Sequence, residues 1–162
     1  MIECLPLPEK RIELLKADKR IVKTLEELSN THIKVNSHVM IEGEDPISVM
    51  KVREVLKAIG RGFAFEEALL LLKEGYALEV ISLSDFSKSK KRSTTLKGRV
   101  IGREGTAKEM IQRLTNTKIS IYGKTICVIG KWEDVQKAKR AVEMLLCGSK
   151  HNTVYKFLEG GL

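Results

Sequence analysis

Apolar positions in the second half of the chain change period from segment to segment, and the changes lay out its elements. Ala107, Met110, Ile111 and Leu114 stand at the i, i+3, i+4, i+7 spacing of a helix stripe, with Thr106 and Glu109 placed as a capping box. Lys118 to Tyr122 alternates as a strand does, Gly123-Lys124 is a tight turn, and Thr125 to Ile129 returns as a β-branched strand ended by Gly130. Val135, Ala138, Ala141, Val142 and Leu145 mark a closing helix that Gly148 terminates. Upstream lie a strand at Tyr76 to Leu83, a polar loop, and a short helix up to about Ile101. The predicted order is β-α-α-β-β-α.

The same pattern occurs earlier. A shift of 86 residues brings Leu28-Ser-Asn-Thr-His-Ile-Lys-Val onto Leu114-Thr-Asn-Thr-Lys-Ile-Ser-Ile, and sets Ile21, Leu25 and Leu28 on Ala107, Ile111 and Leu114. It also sets Val52, Val55, Leu56 and Ile59 on Ala138, Ala141, Val142 and Leu145, while the hairpin slips by one, Val39 to Gly43 matching Ile126 to Gly130. Two copies of one module therefore fill most of the chain. Between them, Phe65 to Lys73 reads as a linking helix ended by Gly75, whose leucines seal one module to the other. Beyond the second copy, Val154, Phe157 and Leu158 have the spacing of a short docking helix capped by Asn152 or Thr153. The expected division is residues 1–62, a link at 63–75, residues 76–149, and a tail at 150–162.

One turn carries chemistry. Val100-Ile-Gly-Arg-Glu-Gly-Thr106 sets a Gly-x-x-Gly turn against the start of the amphipathic helix. Gly102 and Gly105 have no Cβ, so the chain can take φ > 0 and a ligand can approach the main chain. The helix start adds N–H groups and a dipole that favour an anion, and Arg103 supplies a full positive charge. We expect backbone clamping from Gly102 and Gly105, and supporting charge from Arg99 and Lys108, with Thr106 and Lys124 as further contacts, Lys124 at the rim. Glu104 should repel a phosphate, so it is expected to point away, toward a base edge or a neighbouring Arg. Ile101 and Ile121 read either as an apolar floor for bases or as core.

Charge separates the two copies. The net charge is +8, but residues 1–80 hold 12 Lys+Arg against 14 Asp+Glu, whereas residues 81–162 hold 17 against 7. A strongly positive half is the footprint of a polyanion binder. Lys88-Ser-Lys-Lys-Arg92 is the densest basic run, and reads either as a phosphate contact or as a solvated loop. Aromatic residues make up 5%, so stacking platforms are not the main means of recognition; Trp132 reads as a packing residue.

Other classes of function fit poorly. A P-loop needs Gly-x-x-x-x-Gly-Lys-Ser/Thr after a strand, and Gly98 to Thr106 offers no such Lys and lies between helices. No paired carboxylates, activated nucleophile or Cys/His ligand set shares a module, so neither a catalytic residue, a metal nor a cofactor is expected. His151 reads as a capping or surface residue. Cys4, Cys127 and Cys147 are odd in number without paired spacing, and read as reduced core thiols. The longest apolar run, Ala68 to Leu72, is five residues, and the first residues lack signal-peptide regions, so a cytoplasmic protein without a membrane partner is expected.

The order β-α-α-β-β-α with Val-Ile-Gly-Arg-Glu-Gly between its first two helices resembles the type I KH domain. More narrowly, Ala58-Ile-Gly-Arg-Gly-Phe63, Arg99-Val-Ile-Gly-Arg-Glu-Gly105, Ile121-Tyr-Gly-Lys124 and His151-Asn-Thr-Val-Tyr-Lys-Phe-Leu-Glu159 look like the archaeal double-KH proteins related to the partner-of-Nob family. The related Krr family of ribosome-assembly proteins shares that layout. The resemblance covers essentially the whole chain. It implies an α+β fold of two tandem type I KH domains, each a three-stranded antiparallel sheet on three helices. It implies a non-catalytic adaptor that holds single-stranded RNA, the 3′ region of small-subunit rRNA, during ribosome maturation. The first module departs from the pattern, with Lys16, Ala17, Asp18 and Lys19 where the second has its glycine turn. In such relatives it serves protein contacts, so a Nob-type endonuclease or a translation initiation factor is the implied partner there. The competing readings are a KH-type regulator of messenger RNA or single-stranded DNA and, more remotely, a nucleotide-dependent enzyme.

Overall fold

The computed structural model describes residues 1–160 as two compact units, Met1–Glu74 and Gly75–Leu162 apart from its last two residues. The first runs β1 (Ile2–Leu5), α1 (Glu9–Ala17), α2 (Lys19–Ser29), β2 (His32–Val35), β3 (Val39–Glu42) and α3 (Pro46–Gly60). The second runs β4 (Tyr76–Ser82), α5 (Lys90–Ile101), α6 (Thr106–Thr115), β5 (Lys118–Tyr122), β6 (Thr125–Lys131) and α7 (Trp132–Leu146). Both are β-α-α-β-β-α, and in both the last strand lies between the other two of an antiparallel sheet, β1-β3-β2 and β4-β6-β5.

The hairpin slip has a simple cause. Val35 pairs with Val39 across a three-residue loop, whereas Ile121 pairs with Ile126 and the ladder adds Tyr122 opposite Thr125 before a two-residue turn. The extra ladder pair lengthens the second hairpin by one residue.

A common hydrogen-bond frame underlies both units. Glu26 Oε2 accepts the Ile33 N–H at 2.8 Å, and Gln112 Oε1 accepts the Ile119 N–H at 2.8 Å, so each second helix holds the following strand. Ser29 donates back to Leu25 O and lies 2.7 Å from Thr31 Oγ1; Thr115 donates to Ile111 O and lies 2.8 Å from Thr117 Oγ1. Asn30 and Asn116, both left-handed, cap the two helices. These groups satisfy buried polar atoms where each helix meets its sheet. In the second unit the helix stripes close on Ile126 and Val128 of β6, and Val135, Ala138, Val142 and Leu145 complete a core exposed by no more than 5% at any member.

Segment 63–74 belongs to the first unit. The expected linking helix is shorter: α4 (Phe65–Ala68) passes into a 3-10 turn over Leu69–Leu72 that packs on α3, and Lys73 is extended. The tail forms α8 (His151–Leu158), packed on α7 and α6 with Val154 and Leu158 buried. Neither Asn152 nor Thr153 caps it, because both lie inside the helix, which begins at His151 with Lys150 at the N-cap. Two cysteine expectations also change. Cys127 is buried on the central strand, but Cys4 and Cys147 are exposed, at the open face of β1 and just beyond α7.

Candidate nucleic-acid interface

The corner between α5 and α6 is built from left-handed backbone. Gly102 has φ 76°, Glu104 φ 56° and Gly105 φ 77°, so three of four consecutive residues occupy a region that side chains disfavour. The Gly102 N–H closes α5 on Gly98 O at 2.9 Å, and the chain then lies against the next helix. A Cβ on Gly102 would sit 2.6 Å from both the Cβ and the backbone nitrogen of Ala107, so only glycine fits. Gly105 has open space where its Cβ would be, and its requirement is conformational alone.

This corner leaves donors and charge facing solvent. No side chain caps α6; the predicted capping box is absent, because Gly105 stands at the N-cap and the Thr106 hydroxyl donates to Arg103 O instead. Uncapped helix starts with a nearby cation are anion sites by dipole and hydrogen-bonding. Arg103 and Glu104 are exposed and, among the described residues, neither makes an ion pair. Glu104 is thus turned to solvent with no Arg partner among the described residues, which leaves the base edge of the two expected alternatives.

The structure gathers Ile101, Gly102, Arg103, Glu104, Gly105 and Thr106 on one continuous turn, with Lys108 half-buried in the first turn of α6. Ile101 is 37% exposed at the end of α5, available to a base. Ile121 lies half-buried on edge strand β5 and packs against the core. Lys124 is apart from the turn, exposed at the β5–β6 corner, where Lys124 O accepts the Leu83 N–H at 2.8 Å.

Arg99 does something else. Its Nε donates to Leu145 O at 2.9 Å and its Nη2 to Ser149 O, while His151 Nε2–H donates to Arg99 O at 2.8 Å. The guanidinium therefore joins α5 to the end of α7, and its neighbour α8 is tied to the same residue. The first unit repeats the device: Arg11 Nε donates to Ile59 O at 2.6 Å and Arg11 Nη2 to Phe63 O at 3.1 Å. Ile59 and Phe63 stand 86 residues before Leu145 and Ser149, so the two arginines are counterparts. A role shared with the unit that has no glycine turn is structural, and it stands beside the supporting charge expected of Arg99.

The first unit turns its corner differently. After Arg11 the helix continues six residues to Ala17, and one residue, Asp18, joins it to α2; after Arg99 the helix stops two residues later at Ile101. Asp18 caps α2 by accepting the Arg20 N–H, and the Arg20 side chain bonded to it holds its carboxyl below the usual range. A side-chain cap thus stands where the second unit leaves its helix start open. Beside it, Lys16, Lys19 and Lys23 rim a groove of about 510 Å³ floored by Val22, Ile33 and Val35.

Some groups of the second unit escaped the sequence reading. Gln112, which fixes β5, was hidden in an ordinary polar position. Lys90, Ser93, Thr94 and Lys97 form a polar i, i+3, i+4, i+7 stripe on α5, visible in the sequence once the helix start is known. Trp132, expected to pack, is 60% exposed, since it opens α7 three residues before the apolar stripe begins at Val135.

Comparisons with known proteins agree with this geometry. The model for the second KH domain of PNO1, a eukaryotic type KH-domain (KH-domain type I), matches residues 77–161. A KH domain-containing protein of Methanocaldococcus jannaschii is 42% identical, over 98% of this chain and 73% of its own length. Dim2p of Pyrococcus horikoshii has a crystal structure that superposes with a TM-score of 0.91 at 38% identity, over 99% of both chains. A protein of unknown function from Aeropyrum pernix superposes at 0.94 with 32% identity, over 99% of this chain and 89% of that one. In a P. horikoshii complex of a/eIF2alpha, aDim2p and rRNA, the matching chain superposes at 0.91 with 38% identity, over 99% of this chain and 93% of that one.

Proposed function

Because the chain belongs to the PNO1/Dim2-like KH family, which is RNA-binding and not enzymatic, we propose that it is an adaptor that holds single-stranded RNA at the Gly102–Gly105 turn during small-subunit maturation. The carrying observation is the left-handed corner itself, with its uncapped helix start and unpaired Arg103, on the unit that bears the positive charge. A KH turn of this kind clamps about four nucleotides by their backbone. Gly102 and Gly105 admit the phosphates, Arg103 neutralises them, and Ile101 offers an apolar face to a base.

The finer assignments belong to the same proposal. Both units are read as KH domains, because they share strand order and hydrogen-bond frame, with the first lacking a clamp. The bound RNA is read as the 3′ region of small-subunit rRNA, supported by the rRNA in the P. horikoshii complex. The first unit is assigned protein contacts, with an initiation factor as the favoured partner by the a/eIF2alpha of that complex.

The test is a competition by fluorescence anisotropy of rRNA 3′ oligonucleotide against unrelated RNA and DNA of equal length. The natural protein should prefer the ribosomal RNA. Replacing Arg103 and Glu104 together by Asp should lower affinity roughly ten- to a hundredfold, the worth of one or two charged hydrogen bonds, with circular dichroism unchanged. Unchanged affinity at low salt would remove the clamp assignment; equal binding of all three nucleic acids would favour a general KH regulator.

A further inference from the structure

The second unit has a concavity of about 560 Å³ at the far end of α5 from the glycine turn, enclosed by the β4–α5 loop, the first two turns of α5 and the β5–β6 corner. Four lysines line it: Lys88, Lys90, Lys97 and Lys124. Among the described residues none of the four makes an ion pair, and no carboxylate lines the space. Four like charges around one hollow repel each other and gain most from a polyanion that displaces their counterions. The remaining side chains are hydroxyls, Ser84, Ser87, Ser93 and Thr94. No aromatic side chain and no Leu, Ile, Val or Met lines the hollow, so it offers no ring on which a base could stack and no wholly apolar side chain to seat a peptide's anchor. Lysines and hydroxyls are instead the groups that contact phosphate and sugar.

Its walls are held together. The Leu83 N–H donates to Lys124 O, fixing the β5–β6 corner to the end of β4, and Ser89, capped onto the Arg92 N–H, sets the start of α5. The Ser93 hydroxyl is half-buried and makes no hydrogen bond among the described residues. Twelve residues of α5, about 18 Å at 1.5 Å per residue, carry this hollow at one end and the cradle at the other.

We propose that this lysine-rich hollow is a second phosphate site, which takes the backbone of the RNA beyond the nucleotides held at the glycine turn. The inference rests on the RNA reading of that turn. It also resolves the Lys88–Arg92 run: Lys88 and Lys90 face a phosphate site, and the run is not merely solvated. The hollow adds affinity and reach without reading sequence.

Two RNA lengths separate this site from the cradle. One is about five nucleotides, just over the roughly four a cradle clamps, and the other about fifteen. In the full chain, replacing Lys88, Lys90 and Lys97 by Ala should leave the short RNA's affinity unchanged and weaken the long RNA at least tenfold at low salt. The slope of log K against log salt for the long RNA should fall by about 2, three contacts at roughly 0.7 each. Replacing the same three by Arg should restore both. The Arg103 and Glu104 to Asp variant should instead lose both lengths; if it loses neither, the cradle reading fails whatever the lysines do. An unchanged slope, or equal loss on short and long RNA, overturns the second site.

Discussion

Each unit folds its first two helices back on one another through a different corner, and the difference separates what the fold requires from what a ligand requires. In the first, α1 runs on to Ala17 and a single ordinary residue, Asp18, makes the turn. In the second, α5 stops early and four residues, three of them left-handed, make it. The frame around the corners is the same: an arginine bonded to the third helix's end, a Glu or Gln holding the next strand, a Ser or Thr pair under the sheet. A β-α-α-β-β-α unit is therefore stable without the glycines. The strained corner is not needed for the fold, and strain that the fold does not need points to function. Charge divides the same way, Met1–Glu74 holding 12 Lys+Arg and 13 Asp+Glu and the remainder 17 and 8.

The largest effect should come from filling the corner. Gly102→Ala puts a methyl 2.6 Å from Ala107 in backbone that costs a side chain roughly 1–2 kcal/mol, and the overlap adds about 1–3 more. Hydrogen exchange should show the second unit opening more readily by that sum, with RNA affinity lost. Gly105→Ala meets nothing within 4 Å and should cost only the backbone term. Equal losses at the two glycines would mean that the close approach of the corner to α6 is not what makes Gly102 necessary.

The paired arginines come next. Arg99→Ala and Arg11→Ala each remove two hydrogen bonds from a charged group, worth roughly 1.5–3 kcal/mol apiece at most. Each should destabilise its own unit by a similar amount. Because two units need not unfold together, exchange protection resolved by unit is the measurement. RNA affinity of Arg99→Ala, taken well below its melting range, should stay within about twofold of the natural protein, less than half a kcal/mol. A larger loss would place Arg99 among the main RNA contacts.

The repeat, the order of elements along the chain and the glycine corner were legible because each depends on local spacing: stripes at 3.6, alternation at 2, glycines three residues apart. The arginine pair was not, since Arg11 and Arg99 are 88 residues apart while their acceptors are 86 apart. The different corner lengths absorb the two residues, so a sliding comparison passes over them. Beside a Gly-x-x-Gly turn Arg99 reads as phosphate charge, and its structural bonds were not legible because composition cannot tell which backbone carbonyls a guanidinium reaches. Exposure was hidden for a related reason. Trp132 and Cys147 sit at the ends of α7, beyond its buried stripe, where the residue type alone suggests a core.

The smallest effect should come from the corner that lacks glycines. Lys16 and Lys19 flank Asp18 and rim the first unit's groove, so by charge alone they could draw RNA. Asp18 takes up the start of α2 by accepting the Arg20 N–H and pairs with the Arg20 side chain, and neither Lys16, Ala17, Asp18 nor Lys19 has the positive φ that opens the main chain at Gly102. Replacing both lysines by Ala should therefore change affinity for the rRNA 3′ oligonucleotide by less than about twofold, set against the ten- to a hundredfold loss at Arg103. Anisotropy at low salt, where any phosphate contact is strongest, is the most demanding condition for that expectation. A loss matching that at Arg103 would make lysine charge sufficient for clamping, and the left-handed corner would then need another explanation.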